Sequence, residues 1–290
     1  MDEIQPLVSV PVITYNSSKT VVETLDSIYN QTYPKLELIV SDDCSPDNTV
    51  EICKDWIESH KNRFVRTELL TVENNTGVSA NMNRAEGTCL GEWVKPIAGD
   101  DVMLSDCVET YINYVREHQG AVYVFAKMVP FGGYDWHRKA LADFYSSKQF
   151  FFEWPIDKQL DCLLKENCIP APTSFFHRST IKNLGIKNDE RIPLIEDWPK
   201  WVNLLRRGIR FHFINKETVM YRISEGSIST SECQAEKFSK AKALFYIYYQ
   251  FQEEFKKEKK HALKNYVYAK TVVKGSFFWK GINFIVKRMV

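Results

Sequence analysis

No stretch of this 290-residue chain approaches the roughly 18 consecutive apolar residues of a membrane-spanning helix. The first ten residues, MDEIQPLVSV, place no basic region ahead of their apolar stretch, so they do not read as a secretory leader. Seven cysteines are present, an odd number, and none forms a CxxC pair. That excludes a zinc ribbon, a thioredoxin-like motif and a paired disulfide framework, and points to free, buried or half-buried thiols in a reducing cytosol. The six histidines show no HExxH spacing, and no GxGxxG follows the first apolar strand, which removes a zincin and a dinucleotide-dependent dehydrogenase. Ser9 and Ser41 lack a neighbouring His–acid constellation that would make either a nucleophile. Internal repeats and low-complexity linkers are also missing.

What is present suffices for a large core: 44% of residues are hydrophobic and 13% aromatic. The net charge is only +1, but it is unevenly spread. Residues 256–290 hold ten Lys or Arg and one acid, Glu258, which leaves an acidic body carrying a basic tail.

Short β-branched runs alternate with helical patterns over the first hundred residues. Strands are expected at 7–13, 36–40, 64–72 and 92–98, with helices from about 16 to 29, 47 to 59 and 77 to 86. Pro11 sits awkwardly inside the first strand. Such alternation predicts an α/β fold, a mostly parallel sheet flanked by helices. A helix at 105–118 and a strand at 121–127 follow. An aromatic-rich, irregular middle comes next, then helices near 158–165, from 178, and at 196–208, and a helical C-terminal extension over about 232–260. The division expected is 1–104, 105–225 and 226–290.

Two acidic pairs end apolar runs: Asp42-Asp43 in VSDDCSPDNT and Asp100-Asp101 in KPIAGDDVML. Adjacent carboxylates repel unless a cation or hydrogen-bond donors stand near them. Each pair has a plain reading as a turn or helix cap. Each also has a functional one, because ligands of open parallel sheets bind beyond the carboxyl ends of the strands. A divalent cation takes one or two carboxylates plus substrate phosphates, and a carboxylate accepts the imide N–H of a base or a ribose hydroxyl. A third acidic pair, Glu196-Asp197 in IEDWPKW, opens a helix that ends in Arg-Arg-Gly. Its position suits the macrodipole, and equally a general base.

The order of these segments resembles the family 2 glycosyltransferases of GT-A fold. It runs from Thr14-Tyr15-Asn16 through Gln31-Thr-Tyr-Pro34, VSDDCSPDNT, Asn75-Thr-Gly-Val-Ser79 and GEW-x5-GDD. A looser match continues over 171–180, 195–201, Tyr221-Arg222 and Ser227-Ile-Ser229. The resemblance implies a Rossmann-like GT-A sheet, with Tyr15 packing near the nucleotide base, Asp43 meeting uracil and Asp100 reaching the ribose. Asp101 would coordinate a divalent Mn or Mg on the donor pyrophosphate. Asp197 falls on the family's general base for inverting transfer, with Glu196 as its fallback. Two departures stand out: Ala98 replaces the first acid of the family's DADD, and Met82 stands where the family often has Arg, leaving that helix without its expected basic contact.

The enzyme so implied moves a sugar from a nucleotide-sugar, a UDP-sugar, to a glycan or lipid-linked acceptor in bacterial polysaccharide biosynthesis, such as O-antigen or capsule. Ala98 and Met82 keep an alternative open: a non-catalytic nucleotide-sugar-binding subunit of a glycan assembly complex. Trp136, Phe151, Phe152 and Trp154 either stack on acceptor sugars or pack the core. The tail, YVYAKTVVKGSFFWKGINFIVKRMV, mixes lysines with aromatics. It reads as an interfacial helix on an anionic membrane surface, or else as a helix folded onto the body. No nucleic-acid motif accompanies its charge. The location expected is cytoplasmic, peripheral on the inner face of the membrane.

Overall fold

The uncharged run VSVPVIT forms the first strand, β1 (Val8–Thr14), and lies between the second strand and a broken fourth. The computed structural model describes residues 5–223 and 232–274. In chain order β1 leads to α1 (Val21–Tyr29), β2 (Leu36–Asp42), α2 (Thr49–His60), β3 (Arg66–Leu70) and α3 (Val78–Thr88). Three two-residue strands follow, β4 (Trp93–Val94), β5 (Ile97–Ala98) and β6 (Val102–Met103), then α4 (Cys107–Glu117) and β7 (Tyr123–Gly132). The second half contributes α5 (Asp135–Ser147), α6 (Ile156–Leu163), β8 (Phe175–His177), α7 (Arg178–Asn183), α8 (Asp197–Arg206) and β9 (Phe211–Ile223). Helices α9 (Glu232–Phe245), α10 (Phe251–Lys257) and α11 (Lys259–Lys274) complete the described chain.

The sheet runs β3-β2-β1-β4-β8-β7-β9-β6, with β5 also paired to β1. Strands β1, β2, β3, β4 and β5 associate in parallel, as does β7 with β9, whereas β8 and β6 pair antiparallel. The expected α/β sheet is therefore present. The expected strand over 92–98 is instead split at Lys95-Pro96.

That split explains Pro11. The carbonyls of Leu7, Ser9 and Ile13 all accept hydrogen bonds from the β4–β5 side, so the odd-numbered residues of β1 face that neighbour. Pro11 shares their parity. It lies opposite the gap between the pairs Ser9↔Val94 and Val12↔Ile97, where no ladder bond is needed. Lys95 fills the same gap, fully buried, and its Nζ donates to the carbonyls of Pro96 (3.0 Å) and Pro172 (2.7 Å).

Strand alternation sorts the core into two layers. Val8, Val10, Val12, Leu36, Leu38 and Val40 face one layer with α1, α2 and α4. Ile39, Val94 and Phe125 face the other, with Trp198 and Trp201 of α8 and Phe245 of α9. The six described cysteines are free thiols, four buried and two half-buried.

Candidate active site

Register brings two of the acidic pairs together. Thr14 pairs with Asp42 on one side of β1, and Ile13 with Ala98 on the other. The chain then keeps contact beyond the ladder, as Asp43 N donates to Thr14 O (3.1 Å) and Gly99 N to Ile13 O (2.9 Å). Tyr15, 49% exposed, thus leaves β1 with Asp43 on one flank and Asp100-Asp101 on the other. Gly99 is required there for packing: a Cβ would meet Thr14 Cγ2 at 2.7 Å.

The two acids of the first pair do different work. Asp42 accepts hydrogen bonds from Thr14 Oγ1 (2.7 Å), Ser45 N (2.8 Å) and Ser45 Oγ (2.6 Å), which pins the turn after β2. Asp43 accepts from Thr76 N (3.0 Å), Thr76 Oγ1 (2.5 Å), Gly77 N (2.7 Å) and Arg84 Nη2 (3.1 Å). Burial raises the Asp43 pKa, but these donors outweigh it and hold the carboxyl below its ordinary range. Two residues beyond Met82 on α3, Arg84 brings a basic group to Asp43, and it also reaches Ser41 Oγ (3.0 Å).

Asp101 is buried and Asp100 half-buried. Arg222, at the end of β9, clamps both: its N–H donates to Asp101 Oδ1 (2.9 Å) and its Nε to Asp100 O (2.7 Å), while the guanidinium pairs with Glu23. Burial first, then the charge of Asp100, pushes the Asp101 carboxyl well above its ordinary range. No cluster of three or more metal-ligating side chains forms among the described residues. Even so, the donor set fits a magnesium or manganese ion held by one or two carboxylates, with substrate phosphates completing the shell. A divalent charge would relieve the repulsion that the pair carries.

Asp197 begins α8 and accepts a hydrogen bond from Trp198 N (2.6 Å). Glu196 and Asp197 are half-buried. Burial, followed by Asp197's charge, pushes Glu196 up to about 8. Burial pushes Asp197 up to about 6 against the opposing pull of its backbone donors, Asn167 and Lys200. Tyr221, beside Arg222 on β9, lies in the field of both acidic regions: burial and then the charges of Asp101, Asp100, Asp197 and Glu196 raise its phenol. Tyr145 of α5 also lies in the field of Asp197. It lines a cavity of about 200 Å³ with Lys127, Met128, Cys168 and Pro170.

Three non-glycine residues have left-handed backbone among the described residues: Asn16, Cys44 and Leu194, with φ of 55°, 65° and 69°. Each lies within three residues of Tyr15, Asp43 or Asp197, so the costly conformations gather where the acidic groups are presented.

Other candidates resolve plainly. His177 Nδ1 hydrogen-bonds Thr180 Oγ1 (2.8 Å) and its ring packs edge-on to Trp93, a structural arrangement. Phe151 and Phe152 are buried core, while Trp136 is 69% exposed. The basic aromatic tail beyond Lys274 lies outside the described residues. Among those described, no helix is long and apolar enough to cross a membrane. The structure adds Arg84, Tyr145, Asn167, Lys200 and Glu86 to the site. Of these, Lys200 was legible, since it follows Glu196 and Asp197 by four and three residues on one helix.

An α/β sheet with carboxylates presented beyond adjacent strand ends, closed by an antiparallel β6–β9 pair, is the GT-A architecture. The chain belongs to glycosyl transferase family 2, whose model matches residues 9–183. Among curated relatives, the Bacillus subtilis putative teichuronic acid biosynthesis glycosyltransferase TuaG is 26% identical over 237 residues, covering 82% of this chain and 87% of its own. The Escherichia coli UDP-Glc:alpha-D-GlcNAc-diphosphoundecaprenol beta-1,3-glucosyltransferase WfaP is 24% identical over 232 residues, 78% of this chain and 81% of its own. The fold also matches the mannosyltransferase PcManGT of Pyrobaculum calidifontis, solved with GDP-Man and Mn2+. That match has a TM-score of 0.66 at 17% identity and covers 99% of this chain and 81% of that one. S. aureus TarS 1-349, solved with UDP-GlcNAc, superposes with a TM-score of 0.61 at 20% identity over 91% and 79%.

Proposed function

We propose that this family 2 glycosyltransferase carries out inverting, metal-dependent transfer of a hexosyl or N-acetylhexosaminyl group from a UDP-sugar. The acceptor is a glycan or lipid-linked sugar in bacterial polysaccharide biosynthesis. The observation that carries the reading is the pair of carboxylate-bearing strand ends on either side of β1. Relatives named for wall-polymer synthesis and for a lipid-diphosphate acceptor support the direction.

In this reading Tyr15 packs against the base, Asp43 and Arg84 present the polar edge that meets it, and Asp100 holds the ribose. Asp101 would hold the divalent ion, which when bound offsets charge on the departing diphosphate. Asp197 accepts the proton of the acceptor hydroxyl as that oxygen attacks the anomeric carbon, and a raised pKa suits a base that works near neutrality. The basic tail reads as the contact with an anionic membrane surface, on the cytoplasmic side.

The test is calorimetric titration of UDP with and without manganese, beside Asp101→Asn and Asp197→Asn. Metal-dependent UDP binding that Asp101→Asn weakens at least tenfold, with Asp197→Asn binding UDP normally but turning over donor at least 10²-fold more slowly, is the expected result. Binding of equal strength without metal removes Asp101 from the metal role. Preference for GDP over UDP removes the UDP assignment.

A further inference from the structure

Lys200 lies one turn beyond Asp197 on α8 and is only 3% exposed. Its Nζ donates to both carboxylate oxygens of Glu86, at 2.6 and 2.8 Å, and sits 4.6 Å from the centroid of the Phe176 ring. Glu86 belongs to α3. The same helix sends Arg84 to Asp43, Asn81 Nδ2 to Thr14 O (3.3 Å) and Asn83 Nδ2 to Asn188 O (3.0 Å). The ion pair therefore joins the helix that supports the nucleotide-side acids to the helix that carries the candidate base.

A pair this deeply buried is not explained by stability, because apolar residues of like volume commonly hold two helices as well or better. Its charge has an object nearby. Lys200 stands at i+3 from Asp197 and i+4 from Glu196, on the same helical face. The groups that interact electrostatically or by hydrogen bonding with Asp197 are Glu196 beside it, Tyr145 from α5, Tyr221 from β9 and the Asn167 amide from the turn after α6, while Glu86 of α3 acts on Glu196. Within that described set Lys200 is the cation, and the other formal charges are acidic.

We propose that Lys200 is a positioning residue for glycosyl transfer: tied to Glu86, it fixes the base-bearing helix against α3 and supplies the positive charge against which Asp197 ionises. This rests on the reading of Asp197 as the base. A purely structural pair would behave the same whichever partner is neutralised. A charge-setting pair behaves oppositely, since Lys200→Met removes the cation while Glu86→Gln leaves it less compensated.

The experiment is an NMR pH titration of aspartate carboxyl carbons in the full chain, with Asp197→Asn identifying the Asp197 signal. Lys200→Met, Glu86→Gln and Lys200→Arg are compared, and UDP binding with manganese checks that each variant is folded. The Asp197 midpoint is expected to rise by about one pH unit in Lys200→Met, to fall or stay in Glu86→Gln, and to return in Lys200→Arg. Should Lys200→Met misfold, the double variant Glu86→Gln/Lys200→Met, neutral at both positions, is expected to show a rise as well. Midpoints that agree within about 0.2 unit in all folded variants overturn the inference while leaving the base reading intact. Rapid donor turnover by Asp197→Asn overturns the base reading instead, whatever the titration shows.

Discussion

Carboxylates of the same kind are driven in opposite directions within one crevice. Asp43 has four donors, and they win over its burial, so its charged form belongs to the folded state. Burial holds up both Glu196 and Asp197, and for Glu196 the charge of Asp197 adds to it. The consequences for stability have opposite sign. A depressed carboxyl contributes stability above its unfolded pKa, and that contribution is lost as pH falls through the folded value. For a raised carboxyl the folded state keeps its proton longer, so stability falls as pH climbs from the unfolded value to the folded one. For Glu196 that window runs from 4.5 to about 8. Glu196→Gln is therefore expected to melt a few degrees higher than the native chain at pH 8 and at nearly the same temperature at pH 4, by scanning calorimetry, reflecting roughly 1–2 kcal/mol from no longer burying a charge beside Asp197. A gain that is equal at both pH values would show that Glu196 is not held up. Tyr15, Asp43, Asp100, Asp101 and Asp197 were legible as candidates because each ends or opens a recognisable apolar run. Arg84 was not, since its role depends on where α3 points rather than on its neighbours in sequence.

At the level of elements, what escaped the sequence reading escaped it for identifiable reasons. Strand β9 spans thirteen residues, but its exposed Asn215-Lys216-Glu217 segment interrupts the alternation, and its pairing with β7 shifts register at Ala126–Met128. Helix α5 buries none of its residues fully, and its Leu141, Phe144 and Tyr145 stripe is lost to view in an aromatic-rich stretch with no clear start or stop. The helical extension expected over 232–260 is divided by a π-helical turn at Tyr246–Gln250 and interrupted at Glu258, whose φ of −147° and ψ of 88° leave the helical region. The β4–β5 break was half visible in Pro11 and Pro96, though the two prolines become one feature only when the strands are set side by side. Just beyond that break, the segment that presents Asp100 and Asp101 depends on Gly99 lying against Thr14. Gly99→Ala forces a 2.7 Å contact, and overpacking of this kind costs about 1–3 kcal/mol. Reduced melting temperature together with at least fivefold weaker UDP binding in manganese is expected. A loss of stability with UDP affinity intact would mean that the acidic pair keeps its place independently of the glycine.

Over the whole molecule, the helical extension supports α8, the helix that carries the proposed base. Trp198 stacks on Phe245 at 4.1 Å, and Phe245 on Tyr249 at 5.2 Å. The Tyr249 hydroxyl donates to Asp189 (2.8 Å), while Arg206 donates to the Tyr249 carbonyl (2.9 Å). Phe245→Ala empties a fully packed site beneath α8 and is expected to cost about 3–5 kcal/mol in denaturant unfolding, with donor turnover falling more than UDP affinity. Equal losses of both would indicate general loosening of the molecule rather than of α8. The fold class was open to sequence reading because alternation of short strands and helices is a local signal. The brace was hidden because its partners lie 47 residues apart, and no local pattern announces which aromatic meets which.

The same brace sets an order in time. A chain leaves the ribosome from its N-terminus, and domains begin to fold as they emerge. Strands β1 to β5 and the helices between them need nothing beyond residue 104 for their mutual pairing, so Asp43 and its donors can reach their places early, whereas Asp100 and Asp101 gain their clamp only with Arg222. Helix α8 must wait for Phe245 and Tyr249 to be made and docked. During synthesis, then, the part that would meet the base of the donor is assembled before the parts that would hold its diphosphate and use its sugar.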